Sequence, residues 1–201
     1  MSELDRWETR FSAEHYVFGT EPNRFLAENA GRIAPGSRVL SIADGEGRNG
    51  VWLAEQGHRV TSQDFSPNAQ EKARRLAAAR GVSLDFELSD ITGRDWVPDA
   101  FHAVVGIFFQ FVGPSERASI FEGIRRTVRP GGVVLIEGYG SRQLAYATGG
   151  PKKRENLYTE ALLQQAFAGF AELEVLAYDA EIAEGPGHHG MSALVDMVAR
   201  R

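Results

Sequence analysis

A glycine-rich loop between an apolar segment and a helix-forming one constrains this chain most. The apolar segment is 39–42, the glycines are Gly45, Gly47 and Gly50, and the helical pattern covers 48–56. Glycine permits positive φ in a sharp turn and leaves no Cβ between the backbone and a ligand. The loop therefore predicts an α/β fold with a nucleotide-like ligand at this turn. The glycines could instead do no more than build the turn.

Two ligands fit such a loop, a dinucleotide and S-adenosylmethionine (SAM). Gly45, Gly47 and Gly50 spell the dinucleotide fingerprint G-x-G-x-x-G, and Asp64 follows at about the distance of a ribose-binding carboxylate. The spacing of these residues alone does not choose between the two ligands.

The charges beside the glycines favour SAM. Asp44 and Glu46 flank Gly45, so a pyrophosphate would face two carboxylates, of which Arg48 could offset only one. SAM has no phosphate and carries an ammonium and a sulfonium, which an acidic turn suits. The alternative is that Asp44 and Glu46 only cap the following helix.

Composition predicts one cytoplasmic domain over residues 1–201. The chain is 43% apolar and 24% charged, and residues 1–10 are too polar for a signal peptide. It has no cysteine, so thiolate metal sites and cysteine nucleophiles are excluded. A net charge of −5 argues against nucleic acid as a partner, and no apolar run suggests a membrane partner. The expected assembly is a monomer or homodimer.

Strand and helix patterns alternate along most of the chain, which predicts a doubly wound, mostly parallel sheet. Two final strand-like runs are joined by a short loop and should pair antiparallel. Predicted strands after the first are 59–63, 82–88, 101–108, 133–137, 171–182 and 191–199, and further helices end at 79, cover 114–128 and cover 160–167.

Four segments together resemble class I SAM-dependent methyltransferases of the tellurite-resistance type, in the group that includes thiopurine methyltransferase-like enzymes. These segments are 16–23, 43–50, 129–132 and 184–190. The resemblance implies a Rossmann-like, seven-stranded sheet with an antiparallel last strand, and SAM as the cofactor.

The chain departs from that family at the glycine loop. Ser41 stands where an acidic residue is usual, and Ala43 stands where glycine is usual. The cofactor's ammonium is therefore expected on backbone carbonyls near Ala43, with Asp44 assisting.

The resemblance also implies a set of cofactor-binding residues. Asp64 would accept hydrogen bonds from both ribose hydroxyls, and Phe65 would pack on the adenine. The full set is Tyr16, Phe18, Ala43, Asp44, Gly45, Gly47, Asn49, Asp64, Phe65, Asp90, Ile91 and Phe108. Within this set, Asp90 and Ile91 would flank the adenine. The N-terminal segment, residues 1–30, would form a lid.

Methyl transfer requires an acceptor that is positioned and shielded from water. His188 or His189 could remove a proton from a hydroxyl or amine acceptor, whereas a soft thiol, selenium or tellurium acceptor can react without a base. Tyr139 is expected to cover the acceptor, and Arg142 to attract an anionic one. Adjacent histidines rarely converge on one ion, so no metal is expected.

The sequence thus predicts a SAM-dependent methyltransferase that acts on a small molecule. The alternatives are an NAD(P)-dependent oxidoreductase and a non-catalytic SAM-binding sensor. One further prediction is that Gly47→Val abolishes SAM binding and leaves the fold intact.

Overall fold

In a computed structural model, which describes residues 2–201, strands and helices alternate in the predicted order. The strands are β1 (Arg38–Ile42), β2 (Arg59–Asp64), β3 (Asp85–Leu88), β4 (Phe101–Ile107), β5 (Val128–Tyr139), β6 (Glu172–Ala183) and β7 (His189–Arg200). The helices are α1 (Glu3–Phe11), α2 (Arg24–Asn29), α3 (Arg48–Glu55), α4 (Pro67–Arg80), α5 (Pro114–Thr127), α6 (Gln143–Tyr146) and α7 (Glu160–Ala166). Short 3-10 turns cover Ala30–Arg32, Ile91–Gly93 and Arg154–Asn156.

The seven strands form one sheet in the order β3-β2-β1-β4-β5-β7-β6. Strands β1 to β5 are parallel, while β7 pairs antiparallel with both β5 and β6. The prediction of a mostly parallel, doubly wound sheet with a reversed last strand is confirmed. Order reverses between β1 and β4, and ligands in such sheets bind beyond the carboxyl ends of the strands at that switch point.

Local signals explain where the helices begin and end. The Ser66 hydroxyl accepts a hydrogen bond from the Ala69 N–H at the start of α4, and Pro67 fills the first helical position. Gly81, with φ of +70°, ends the helix in the left-handed conformation.

Several strands differ from their predicted bounds, β3 and β5 among them. β3 is shorter than 82–88, and β5 starts at Val128 rather than at Val133. The pairing with β4 shifts between Phe101 and Ala103, because the Arg-Pro-Gly-Gly segment forms an irregularity within the strand instead of a turn before it. Glycine suits that irregularity, since Gly131 has φ of +75°.

The central strands are buried on both faces. Val104, Val134 and Ile136 pack on one side with α5 residues such as Ile120, while Val105 and Leu135 pack on the other. This burial explains why β4 and the core of β5 read as continuous apolar runs rather than alternating patterns. Within residues 2–201, no helix combines the length and apolar character needed to cross a bilayer.

Candidate functional site

A cleft of about 640 Å³ of empty space opens where β1, β2 and β4 end. Its walls come from the glycine loop, from the segment after β4 and from the N-terminal helix. The lining residues are Trp7, Phe11, Phe18, Gly19, Ala43, Asp44, Gly45, Glu46, Arg48, Asn49, Asp64, Phe65, Ile107, Phe108, Phe111 and His188. Its position is the switch point of the sheet, where ligands of such folds bind.

Two residues other than glycine hold strained backbone in the cleft wall. Ala43 has φ of +46° and Phe108 has φ of +56°. Such conformations cost about 1–3 kcal/mol each and occur mainly where the surrounding structure imposes them, often at functional sites. Two hydrogen bonds to Gln63 fix the backbone at Ala43. The Ala43 N–H donates to the Gln63 side chain at 3.0 Å, and the Asp44 N–H donates to the Gln63 carbonyl at 2.9 Å.

The Asp44 carboxylate is directed into the loop itself. It accepts hydrogen bonds from the hydroxyls of Ser41 and Ser62, both at 2.7 Å, and from the Gly50 N–H at 3.1 Å. Burial raises the pKa of Asp44 to about 6, against the lowering effect of the two hydroxyls. Gly50 is required beside it, because an added Cβ would collide with the Asp44 side chain. These contacts occupy the carboxylate that we expected to assist the ammonium.

Glu46 also has an internal role. Its side chain is 3% exposed and accepts hydrogen bonds from the N–H groups of Val17 and Phe18, at 2.8 and 3.2 Å. The Lys72 ammonium on α4 pairs with it at 2.7 Å. The expectation that two free carboxylates face the ligand is therefore wrong. The charges of Asp44 and Glu46 do little to favour SAM over a dinucleotide, because both groups have internal partners.

Asp64 lies at the end of β2, in the cleft wall. Its two oxygens each accept one backbone N–H, from Gly45 at 2.8 Å and from Ser66 at 2.9 Å. Burial raises the pKa of Asp64 to about 6, although those N–H donors work in the opposite direction. Each oxygen keeps a further lone pair for a ligand hydroxyl, as the predicted ribose contact requires.

Arg48 is a cation with a free donor at the cleft. One guanidinium nitrogen pairs with Glu184 at 2.7 Å, while Nη1 is buried and has no partner among the described residues. Burial would raise the pKa of Glu184, but the Arg48 guanidinium and the Arg24 backbone N–H outweigh it and lower that pKa to about 2. A buried, unpaired donor suits an anionic group such as the carboxylate of SAM.

Aromatic side chains form the remaining walls. Phe65 and Phe111 stack with ring centres 5.5 Å apart, and Trp7 stacks on Phe11 at 5.4 Å. Phe18 packs on the His188 ring at 4.5 Å. The N-terminal segment thus contributes Trp7, Phe11 and Phe18 to the cleft, as the lid interpretation expected for Phe18.

His188 is buried at the inner end of the cleft. Phe18 and Phe108 lie against its ring, at 4.5 and 4.4 Å between ring centres. Its Nδ1 is 3.7 Å from Glu184, which is beyond hydrogen-bond length. Burial lowers the pKa of His188, so the imidazole is neutral near pH 7 and can accept a proton.

Several predicted site residues lie away from the cleft. Tyr16 packs near Val51 and Leu76 and donates its hydroxyl to the Lys72 carbonyl at 3.1 Å, so it belongs to the core. Asp90 is exposed and caps the Ile91–Gly93 turn through the Thr92 N–H, whereas Ile91 is fully buried in the main core.

Arg142 and His189, two of the residues predicted to contact the acceptor, also lie away from the cleft. Arg142 is largely exposed and pairs with Asp179 at 2.9 Å, and it does not line the cleft. His189 is exposed at the start of β7, where it pairs with Ala183. His188, the residue before β7 begins, lies in the cleft wall, whereas His189 does not.

Gly47 lies beneath the loop and not in the cleft wall. It has φ of +86°, and an added Cβ would lie 2.6 Å from the Ala73 Cβ on α4. The prediction that Gly47→Val leaves the fold intact is therefore wrong, because this glycine allows α3 and α4 to approach each other. Gly45 is the glycine in the cleft wall; its added Cβ would meet the Phe11 ring at 3.5 Å, an ordinary contact.

Part of the cleft was not predictable from the sequence motifs. Trp7, Phe11 and Phe111 carry no motif that assigns them to a site, and Arg48 and Glu46 entered the sequence argument only through their charge. Trp7 and Phe11 lie four residues apart on α1, so an amphipathic pattern was the available signal. Nothing in the sequence indicated which element this helix covers.

Comparison with known proteins finds similarity in the central part of the chain. A family model described as a methyltransferase domain matches residues 39–132. The tRNA 5-carboxymethoxyuridine methyltransferase of Escherichia coli is 29% identical over 109 residues, which cover 53% of this chain and 42% of that protein. The chain spans about half the length of the curated relatives it matches.

Two solved structures share the fold over almost the whole chain. One, a structure that concerns the conversion of a disulfide bond into a thioacetal group during echinomycin biosynthesis, is 20% identical with a TM-score of 0.79 and covers 100% of this chain and 92% of that one. TehB from Haemophilus influenzae is 19% identical with a TM-score of 0.72, covering 98% of this chain and 66% of that one. At these identities the likeness concerns the fold.

Proposed function

We propose that this chain, of which residues 39–132 match a methyltransferase-domain model, transfers the methyl group of SAM to a small organic acceptor. One observation carries the proposal. An anionic hydrogen-bonding group, Asp64, and a cationic one, Arg48, line the same cleft at the switch point of the sheet. Asp64 would accept hydrogen bonds from the ribose hydroxyls, and Arg48 Nη1, which has no partner among residues 2–201, would bind the cofactor's carboxylate.

The other walls fit the rest of the cofactor. The stacked rings of Phe65 and Phe111 suit the adenine, and Gly45 presents backbone without a side chain. When bound, SAM supplies a methyl group on a cationic sulfur that is a good leaving group. The protein then has to orient the acceptor and exclude water, which the buried rings of Phe18, Phe108 and His188 can do.

The acceptor is proposed to be a soft nucleophile such as a thiol. One structural neighbour concerns the conversion of a disulfide bond, and the other is TehB. Among residues 2–201, His188 is the one histidine that lines the cleft. Its imidazole is neutral, and it would take the proton of a thiol or hydroxyl. We also propose that the chain is a member of the tellurite-resistance group and that the individual residues have the roles given above.

Calorimetric titration tests the cofactor assignment. SAM and its demethylated product should both bind with micromolar affinity, and Asp64→Ala should weaken both by tenfold or more through loss of charged hydrogen bonds. Arg75→Ala, on the exposed face of α4, is the control. Absence of binding at millimolar concentration would refute the proposal, and saturable NADH binding that SAM does not displace would establish the oxidoreductase alternative.

One relative that acts on tRNA makes nucleic acid a second candidate acceptor. That protein is a tRNA methyltransferase, whereas another relative, a demethylmenaquinone methyltransferase of Renibacterium salmoninarum, acts on a small molecule by its name. The net charge of −5 favours the small molecule here. Methylation assays on total tRNA and on a panel of thiols distinguish a nucleic-acid acceptor from a small-molecule one. A sensor that only binds SAM would methylate neither.

A further inference from the structure

We propose that Glu184 is a positioning residue, which orients the Arg48 guanidinium so that its Nη1 binds the carboxylate of the cofactor. Glu184 lies in the loop between β6 and β7, does not line the cofactor cleft, and acts through Arg48 alone. This inference rests on the methyl-transfer function proposed above. It names the residue on which recognition of the amino-acid end of SAM depends.

Arg48 lies between the cofactor cleft and a second cavity. It is the first residue of α3, directly after Gly47, and it lines the cleft. It also lines a cavity with about 850 Å³ of empty space, whose other walls include residues 18–22 and 180–185. Glu184 lines this second cavity and not the cleft. The guanidinium therefore has the cleft on one side and the Glu184 carboxylate on the other.

Both oxygens of the Glu184 carboxylate have partners. Oε1 accepts hydrogen bonds from Asn23 Nδ2 at 3.0 Å and from the Arg24 N–H at 3.2 Å. Oε2 accepts from Arg48 Nη2 at 2.7 Å. The Glu184 N–H donates to the His188 carbonyl at 2.8 Å, which fixes the backbone of the same residue. The carboxylate therefore cannot turn away from Arg48 without losing hydrogen bonds on its other oxygen.

Asn23, which holds Glu184, is itself fixed by three elements of the fold. Its side chain is buried, and its Oδ1 accepts from the Leu26 N–H at 3.0 Å, which caps α2. Its Nδ2 also donates to Glu137 on β5 at 2.7 Å, and its N–H donates to Asn49 on α3 at 2.9 Å. The orientation of Glu184 is therefore set by α2, α3 and β5 together.

The geometry of a guanidinium transmits this orientation to the cleft. The group is planar and rigid, so the bond from Nη2 to Glu184 determines where Nη1 lies. The side chains of Arg48 and Glu184 are 7% and 11% exposed, and Nη1 has no hydrogen-bond partner in the part of the chain that the structure describes. A buried donor without a partner is unfavourable, and an anionic acceptor in the cleft would satisfy it.

The negative charge of Glu184 has an opposing effect, because it repels the carboxylate of a bound cofactor. The positive guanidinium lies between the two carboxylates, and their repulsion falls with the distance that it imposes. Loss of Glu184 would leave the long Arg48 side chain free to take other rotamers, so that Nη1 no longer has one position. We therefore expect the orienting effect of Glu184 to exceed its repulsion of the ligand.

Two ligands that differ only in the carboxylate test the inference. We would titrate S-adenosylhomocysteine and its decarboxylated analogue into the full chain and measure binding by calorimetry. Glu184→Gln should weaken binding of S-adenosylhomocysteine about tenfold and binding of the analogue less than about twofold. Glu181→Gln removes an exposed carboxylate from the wall of the same cavity and should change neither affinity. Equal weakening of both ligands, or tighter binding of S-adenosylhomocysteine to Glu184→Gln, would overturn the inference.

A double-mutant cycle tests whether Glu184 acts through Arg48. Arg48→Met should weaken binding of S-adenosylhomocysteine by tenfold or more, and adding Glu184→Gln to it should change that affinity by less than about twofold. Losses that multiply in the double variant would show that Glu184 acts by another route. The double variant leaves neither charge unpaired. Both ligands bind the same folded protein, so a change in stability does not alter the ratio of their affinities.

The two proposals fail separately. If S-adenosylhomocysteine binds to the unaltered chain but Glu184→Gln leaves the ratio of the two affinities unchanged, the positioning inference is wrong and the cofactor assignment stands. If S-adenosylhomocysteine does not bind to the unaltered chain, the methyltransferase proposal itself is wrong.

Discussion

Two carboxylates near the glycine loop, Asp44 and Asp64, have different uses. Asp44 is surrounded by the hydroxyls of Ser41 and Ser62 and stabilises the loop from below. Asp64 accepts only backbone N–H groups and lies beside the cleft. Ser41, which stands where the resemblance implies an acidic residue, donates its hydroxyl to Asp44.

Cofactor affinity should depend on the ionisation of Asp64. Burial raises its pKa to about 6 in the free protein, so the group is mostly protonated at pH 5 and ionised at pH 7. Ribose hydroxyls donate to the ionised form, and SAM affinity should therefore rise about tenfold from pH 5 to pH 7 and then level off. Calorimetry across this range measures the effect.

Asp64→Asn is the control for that pH dependence. The variant cannot ionise at this position, so its lower affinity should vary little with pH. The same tenfold rise in the variant would assign the titration to another group.

Gly45 and Gly47 should respond differently to alanine. Both have positive φ, but only at Gly47 would the new Cβ overlap Ala73, at 2.6 Å. Gly47→Ala should lower the free energy of unfolding by about 1–3 kcal/mol more than Gly45→Ala does. Gly45→Ala should instead weaken SAM binding, because its methyl group stands in the cleft wall. Urea unfolding and SAM titration of both variants check this, and an equal loss of stability would contradict it.

At the scale of elements, the N-terminal segment is attached to the loop by a buried ion pair. Glu46 accepts from the Val17 and Phe18 N–H groups, and Lys72 neutralises it while donating to the His15 carbonyl at 2.7 Å. The Gly187 N–H donates to the Val17 carbonyl at 2.7 Å, which joins the loop between β6 and β7 to the same segment. The cover of the cleft is thus held to α4 and to that loop.

Breaking the ion pair from one side should be costly. Lys72→Met leaves the Glu46 charge buried and unpaired, and should reduce the free energy of unfolding by about 3–5 kcal/mol. Arg75→Met, on the same helix but exposed, should change it by less than about 0.5 kcal/mol. Urea denaturation compares the two, and similar losses would show that the pair contributes little.

Element order was predictable from sequence because strand and helix periodicity are local. The caps at Ser66 and Gly81 and the short loop between β6 and β7 indicated their elements. The early start of β5 was not predictable, because a Pro-Gly-Gly segment normally interrupts a strand and only pairing with Phe101 extends it.

At the scale of the whole molecule, stability should decrease from the centre of the sheet outward. β1 and β4 are central and buried, whereas β3 and β6 are edge strands with exposed side chains such as Leu88 and Leu176. Native-state hydrogen exchange should therefore be slowest at Val104 and Val105, and fastest among the strands at β3 and β6. Slower exchange in β6 than in β4 would indicate that a partner covers that edge.

The sequence by itself determined the class of fold and the positions of the cofactor loop and of Asp64. Backbone propensity, glycine spacing and hydrophobic periodicity depend on neighbouring residues, so they can be recognised without the tertiary structure. Only the tertiary structure decided which polar groups are free. Asp44 and Glu46 have internal partners, and Arg142 pairs with Asp179. Arg48 keeps a donor that has no partner among residues 2–201. Whether a side chain faces a ligand depends on partners that lie far along the chain, and their positions are set by packing.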